Sequence, residues 1–125
     1  MIINTHSHIY DEAFDADREE VFQRALDAGV EMLLLPNCDG KSIASMMDFY
    51  EKHSDNVKVM MGLHPEEVKE DYKGKLDLIS NEVSRLTARN DMVGIGEIGL
   101  DFYWDDTFKK EQVEVLCEQL HWANE

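Results

Sequence analysis

Short apolar runs alternate with amphipathic stretches along this chain, in units of about thirty residues each. Four of the apolar runs are too short for helices and are bounded by proline, glycine or turn-forming residues, as is typical of buried parallel strands. They are predicted at 1–8, 32–35, 57–63 and 92–99. The first run is apolar only over Met1–Ile3 and ends at His8.

Each run is followed by apolar residues at three- and four-residue spacing, which predicts an amphipathic helix. Gly29 and Asn90 end the first and third helices, and Thr107 caps the fourth. The predicted bounds are therefore 17–29, 41–53, about 76–90 and 107–125. Four apolar residues are predicted to form the buried face of the last helix: Val113, Leu116, Leu120 and Ala123.

Four consecutive strand and helix pairs predict an α/β fold with parallel strands and right-handed crossovers. Two architectures satisfy this alternation: a small doubly wound sheet, and a closed (β/α)8 barrel, which takes about 250 residues. The chain ends inside a helix at Trp122–Glu125, without a closing strand. We therefore expect residues 1–125 to be the N-terminal half of a single TIM barrel domain, with about four of its βα units.

The composition is that of one globular domain, with 43% hydrophobic residues among 125. No apolar run approaches the roughly 20 residues that span a bilayer, and the N-terminus lacks the basic start and apolar core of a secretory signal. We expect a soluble, cytoplasmic protein without a membrane partner. Cys38 and Cys117 match no CxxC pattern, so free thiols in a reducing compartment are predicted.

The chain carries 12 basic and 27 acidic residues, a formal net charge of −15. Such a field repels phosphate backbones and argues against broad nucleic-acid binding through a basic face. It does not exclude a phosphorylated substrate, because bound metal ions can invert the potential inside a cleft while the outer surface stays acidic. Solubility alone also accounts for this charge.

Two histidines lie one residue apart at the end of the first predicted strand. Alternate side chains of an extended strand project to the same side, so His6 and His8 can share one ion. Neutral imidazole suits zinc, iron, nickel and similar cations. A pair of ordinary hydrogen-bonding histidines is the alternative that this spacing leaves open.

Further polar residues fall where the other predicted strands end. Asn37 follows the second strand, His64 ends the third, and Glu97 lies late in the fourth. The carboxyl ends of parallel strands meet at one rim, where the active sites of such folds gather. A carboxylate within the glycine-rich run Gly94–Gly99 is costly to bury unpaired, so it requires a cation, strong donors or water. The sequence therefore predicts a metal site that joins Glu97 to the histidine pair.

Three motifs together resemble those of the TatD-type metal-dependent deoxyribonucleases, within the amidohydrolase-like barrel superfamily. They occur in the expected order and spacing as NTHSH (4–8), GLHP (62–65) and GIGEIGLDFY (94–103). The resemblance implies an eight-unit barrel that holds up to two divalent ions, Mg²⁺, Mn²⁺ or Zn²⁺, at its strand ends. It also implies hydrolysis of DNA phosphodiester bonds from the 3′ end.

By position, the resemblance makes His6 and His8 ligands of one metal. It makes Glu97 a catalytic ligand that can bridge two metals, and it places His64 near the substrate phosphate. Asn4 departs from the aspartate that is usual in the family, which removes a negative partner of the first metal site.

The remaining ligands of the family, two histidines and an aspartate, belong to the second half of the barrel. His53 and His121 fall on predicted helices and are not substitutes for them. The chain on its own is therefore expected to be inactive or weakly active, unless a second chain completes the barrel.

Two other functions remain open from the sequence. The same ligands could serve a related barrel hydrolase of esters or amides, such as a D-aminoacyl-tRNA deacylase, or the chain could be a noncatalytic assembly module. Unpaired edges on the first and fourth strands predict self-association. Four aromatic residues near the rim could stack on bases or simply pack: Tyr72, Phe102, Tyr103 and Trp104.

Overall fold

The computed structural model describes residues 1–125 as a four-stranded parallel sheet with an α-helix after each strand. The strands are β1 (Ile2–Asn4), β2 (Val30–Pro36), β3 (Val57–Met61) and β4 (Met92–Ile95). The helices are α1 (Arg18–Asp27), α2 (Ser42–Lys52), α3 (Tyr72–Arg89) and α4 (Lys109–Trp122). Short 3-10 turns at Glu12–Phe14 and Pro65–Glu67 lie in the loops after β1 and β3.

The strands lie in the order β1-β2-β3-β4, and each pairs in parallel with the one before it. A doubly wound sheet reverses its strand order at a switch point, whereas a barrel continues in one direction. The uninterrupted order therefore favours the barrel over the other architecture that the alternation allowed.

The hydrophobic core lies on one face of the sheet, which the helices cover. In β2 and β3 every second side chain is fully buried there: Leu33, Leu35, Val57, Val59 and Met61. The alternate side chains, such as Leu34 and Met60, are only partly buried. We call these the covered face and the open face of the sheet. Helix residues complete the same core: Phe22, Ile43, Met46, Phe49, Ile79 and Leu86.

Three of the predicted strands are too long. β1 ends at Asn4 instead of His8, β3 ends at Met61, and β4 ends at Ile95. Beyond these points the chain leaves the regular ladder, although Ser7 N–H still donates to the carbonyl of Leu34 over 3.1 Å. The motif residues therefore lie on loops at the rim of the sheet, just past the strands that position them.

The predicted apolar face of α4 is wrong. Val113 and Leu120 are 46% and 51% exposed, whereas Gln112, Val115 and Gln119 are buried. The helix turns two glutamines toward the sheet because their amides bind backbone groups there, as described below. Thr107 does not cap this helix: the N-cap is Phe108, which makes no side-chain capping bond.

The ends of the other helices follow the sequence closely. Asn90 ends α3 in the left-handed conformation, with φ of 58°, which asparagine tolerates better than most residues. Gly29 has φ of 92° just after α1. None of the α-helices has the length and apolar character needed to cross a membrane.

Candidate metal centre

The side chains of His6, His8 and Glu97 converge at the rim, beyond β1 and β4. The Nε2 atoms of His6 and His8 are 2.9 Å apart, and they lie 3.2 and 3.7 Å from Glu97 Oε2. Ligands at 2.0–2.1 Å around a tetrahedral zinc ion lie about 3.3 Å from one another. The spacing and chemistry of these three donor atoms therefore fit one divalent cation.

Tyr10 fixes the tautomer of His8. The Tyr10 hydroxyl donates its single hydrogen to the carbonyl of Pro36, so its oxygen accepts from His8 Nδ1–H over 2.7 Å. A neutral imidazole with its proton on Nδ1 has a free lone pair on Nε2. That lone pair points toward His6 and Glu97, as a metal ligand requires.

Burial is the largest cause of the pKa shifts of His8 and its two neighbours, Tyr10 and Cys38. It lowers the pKa of His8, and the neighbouring His6 lowers it further. Burial also raises the pKa of the Tyr10 hydroxyl and of the Cys38 thiol, whose sulfur lies 3.3 Å from His8 Nδ1. His8 is therefore neutral at pH 7 and competent to bind a cation, while its tyrosine and cysteine neighbours keep their protons.

His64 reaches the same carboxylate from the other side but in a different role. Its Nε2 lies 3.3 Å from Glu97 Oε1, while its Nδ1 accepts a hydrogen bond from the backbone N–H of Glu66 over 3.1 Å. A ring nitrogen that accepts cannot also carry the proton, so the neutral His64 donates from Nε2. The structure thus distinguishes His8, whose Nε2 presents a lone pair toward His6 and Glu97, from His64, whose Nε2 carries an N–H donor.

Glu97 can approach the histidines closely because two loops touch through a glycine. A Cβ atom placed on Gly62 would lie 2.9 Å from the carbonyl oxygen of Glu97, from the carbonyl carbon of Gly96 and from Ile98 Cγ2. Real Cβ atoms do not approach backbone so closely. Gly62 is therefore required where the loop after β3 packs against the segment that carries Glu97.

Asn37, which was predicted at the rim, does not join the metal centre, and neither do two other polar residues of the sequence analysis, Asn4 and His53. Asn37 is fully buried, and its amide binds the backbone of Gly62. Asn4 accepts a hydrogen bond from the backbone N–H of His6 over 3.2 Å, which supports the backbone of the histidine pair. His53 packs against the rings of Phe22 and Phe49 instead.

The aromatic residues near the rim fall into two groups. Tyr72 belongs to the core cluster. Tyr103 and Trp104 are 83% and 77% exposed, and their rings meet edge to face at 4.7 Å on the loop after β4. Phe102 lies between these extremes, with the Lys109 ammonium 5.2 Å from its ring centroid.

Sequence reasoning missed Tyr10 and the buried glutamines of α4. Tyr10 follows His8 by two residues but lies in a turn that is closed by a hydrogen bond from Asp11 N–H to the His8 carbonyl, so strand alternation carried no signal for it. Gln119 binds Leu63, which is 56 residues away, and such a contact leaves no local trace in the sequence.

Comparison with known proteins shows which family this chain belongs to. The family described as TatD related DNase matches residues 3–125. The chain belongs to the TatD-related DNase family. Its four strand and helix units are therefore the corresponding part of a TIM barrel. The family is one of metal-dependent hydrolases and nucleases.

Alignments with several relatives extend over at least 90% of the TatD-family chain. The uncharacterized metal-dependent hydrolase YabD of Bacillus subtilis is 32% identical over an alignment of 128 positions, which covers 100% of this chain and 47% of the relative. The 3′-5′ ssDNA/RNA exonuclease TatD of Pantoea ananatis is 32% identical and matches 90% of this chain and 42% of its own. The crystal structure of the TatD homologue YjjV of Escherichia coli superposes with a TM-score of 0.84 at 31% identity, covering 98% of this chain and 46% of that one. The TatD-family chain thus spans about half the length of these relatives.

Proposed function

We propose that this chain holds a divalent metal through His6, His8 and Glu97, and that the whole protein uses it to hydrolyse DNA phosphodiester bonds from the 3′ end. The convergence of these three donor atoms at the rim carries the proposal. The name of the Pantoea relative, a 3′-5′ exonuclease of single-stranded DNA and RNA, supports the choice of reaction and substrate. A bound divalent ion supplies Lewis-acid activation of water and of the phosphate.

The residues of the chain divide the remaining work among them. Glu97 faces the histidine pair with Oε2 and His64 with Oε1, so both of its oxygens are oriented. Tyr10 keeps the Nε2 lone pair of His8 directed at the metal position. The Nε2–H of His64 is a donor suited to a phosphate oxygen beside that position.

The exposed Tyr103 and Trp104 support a nucleic-acid substrate. They lie a few residues after Glu97 on the same loop and leave ring surface open to solvent. Stacking a base on an aromatic ring contributes about 1–3 kcal/mol and tolerates any sequence, as an exonuclease requires. Because stacking uses the face of the ring, it does not depend on a positively charged surface, which this chain of net charge −15 lacks.

The 125-residue chain alone is expected to bind metal but to turn over slowly. Only three donor residues meet in the cluster, and His53 and His121 lie elsewhere. Unpaired edges on β1 and β4 further suggest that two copies associate, an arrangement that light scattering across a concentration series would reveal as a dimer. A stable monomer at high concentration would contradict self-association.

Metal titration tests the proposal directly. Calorimetry with Zn²⁺ should show saturable binding to the wild-type chain, and the Glu97→Gln variant should weaken binding at least about 10-fold because a charged ligand is lost. The His121→Gln variant is the matched control, since His121 is exposed on α4. Absence of Zn²⁺ and Mn²⁺ binding by the wild type would contradict the proposed function. Degradation of 3′-labelled single-stranded DNA would then measure the reaction itself.

A further inference from the structure

Two buried amide side chains hold the consecutive residues that lead into His64. Asn37, with 0% exposure, accepts from Gly62 N–H over 2.8 Å and donates to the Gly62 carbonyl over 2.9 Å. Gln119, with 1% exposure, accepts from Leu63 N–H over 2.6 Å and donates to the Leu63 carbonyl over 3.2 Å. Each amide binds both backbone groups of one residue, as a neighbouring strand would, at the point where β3 has already ended.

A second glutamine on the same helix binds the loop that follows Glu97. Gln112 accepts from Asp101 N–H and donates to the Asp101 carbonyl, both over 2.8 Å. Gln112 and Gln119 are seven residues apart, about two helical turns, and so share one side of α4. Helix α4 therefore binds two loops: the one that carries His64 and the one that carries Glu97.

The choice of glutamine at these positions is costly. A buried amide must satisfy all of its donors and acceptors, and an apolar side chain is the usual occupant of such a site. On the buried side of α4 the two glutamines flank Val115, and each amide pairs with both backbone groups of one loop residue. This pairing indicates that the positions of the bound loops matter.

From these contacts we propose that Gln119, assisted by Asn37, is a positioning residue that sets the approach of His64 to Glu97. His64 immediately follows the bound Leu63, and its ring is held at Nδ1 by Glu66 N–H and at Nε2 by Glu97. Catalytic groups work when they are held within about 0.5 Å of the productive geometry, so a shift of the loop is enough to separate the pair. This role rests on the proposed function, because the carboxylate that His64 approaches is the proposed metal ligand.

The test is an NMR measurement of the histidine rings in the metal-free chain. Nitrogen-15 spectra of the wild type should show His64 fixed as the Nε2–H tautomer. In the Gln119→Met variant, which keeps the side-chain length but removes both hydrogen bonds, the His64 nitrogens should move toward the average of the two tautomers. The ring protons of His53, which packs on Phe22 and Phe49 away from this loop, should keep their shifts. Gln23→Met, at an exposed position of α1, is the matched control and should change neither histidine.

The outcomes separate a positioning role from a merely structural one. A folded Gln119→Met variant with an unchanged His64 spectrum would overturn the inference, even if its stability fell. If His53 shows that this variant unfolds, the same measurement on Gln119→Asn decides, because an amide one methylene shorter leaves no charge buried but cannot reach both backbone groups of Leu63. Zn²⁺ affinity should fall about 10-fold in either variant. If the wild type binds no metal, the proposed function fails, while the NMR result still decides whether Gln119 positions His64.

Discussion

The two faces of the sheet differ in what their side chains do, although they alternate along the same strands. On the covered face, Leu35, Val59 and Met61 are completely buried against the helices. On the open face, Leu34 and Met60 are partly buried, and the candidate metal centre lies at the rim. Stability is thus concentrated on one face and chemistry at the edge of the sheet, so substitutions should separate the two.

The largest effect on stability is expected from a comparison of alanine substitutions at two neighbouring methionines of β3, one on each face of the sheet. Met61→Ala should lower the free energy of unfolding by about 2–5 kcal/mol, because it leaves a cavity in a close-packed core. Met60→Ala, one residue earlier on the open face, should cost less, about 1–2 kcal/mol, since part of that side chain is already in water. Urea denaturation of both variants measures the difference. Equal losses would show that the two faces are equally packed.

The second largest effect on stability is expected at the contact between the loops after β3 and β4. Gly62→Ala should destabilise the chain by about 1–3 kcal/mol, because the new methyl group must displace the backbone of Glu97. Gly74→Ala is the opposite control: Gly74 lies in α3 with open space around it, and alanine should stabilise the helix by up to about 1 kcal/mol. Thermal unfolding of the two variants should therefore shift in opposite directions. A neutral Gly62→Ala would mean that the loops separate easily.

Two buried tyrosines distinguish the rim from the rest of the molecule. Tyr10→Phe removes the acceptor of His8 Nδ1–H and should weaken Zn²⁺ binding about 10-fold. Tyr50→Phe removes a hydrogen bond to Asp91 far from the rim, so it should cost about 1 kcal/mol of stability and leave Zn²⁺ affinity unchanged. Calorimetric titration and denaturation of both variants check this pattern. Similar metal affinities in the two variants would contradict the role assigned to Tyr10.

The smallest effect is expected at the exposed loop before α4. Hydrogen bonds from Thr107, with help from Lys69, lower the pKa of Asp105 to about 2. Because the folded pKa lies below the unfolded value of 3.8, the ionised carboxylate stabilises the fold above pH 3.8, and this contribution is lost as the pH falls toward 2. Asp105→Asn should therefore lower the urea midpoint slightly at pH 7 and by less at pH 2, where about half of the folded chains have already bound the proton. A difference as large at pH 2 as at pH 7 would exclude this cause.

Local patterns in the sequence were enough to find the candidate metal centre. The spacing of His6 and His8 predicted side chains that point the same way, and the structure brings them together even though β1 ends before them. The meeting of Glu97 with the histidines followed from the rule that parallel strands end at one rim. These predictions rest on chain direction and periodicity, which the sequence carries.

Contacts that depend on the rotation of a helix could not be predicted in the same way. Periodicity assigned Val113 and Leu120 to the core because apolar residues usually lie there, but the amides of Gln112 and Gln119 bind backbone groups that no sequence pattern reveals. The sequence predicted correctly that Asn37 follows β2. It did not reveal that the Asn37 amide binds the backbone of Gly62. In α4, long-range bonds between side chain and backbone overrode the local hydrophobic pattern.

The sequential order of the strands has a consequence for synthesis. Each strand pairs with the one made just before it, so the sheet can grow as the chain leaves the ribosome, without waiting for a distant partner. Glu97 emerges long after His6 and His8, and α4 emerges later still. A nascent chain can therefore form most of its hydrophobic layer before Glu97 is available to the imidazoles, and Val115 of α4 joins that layer last.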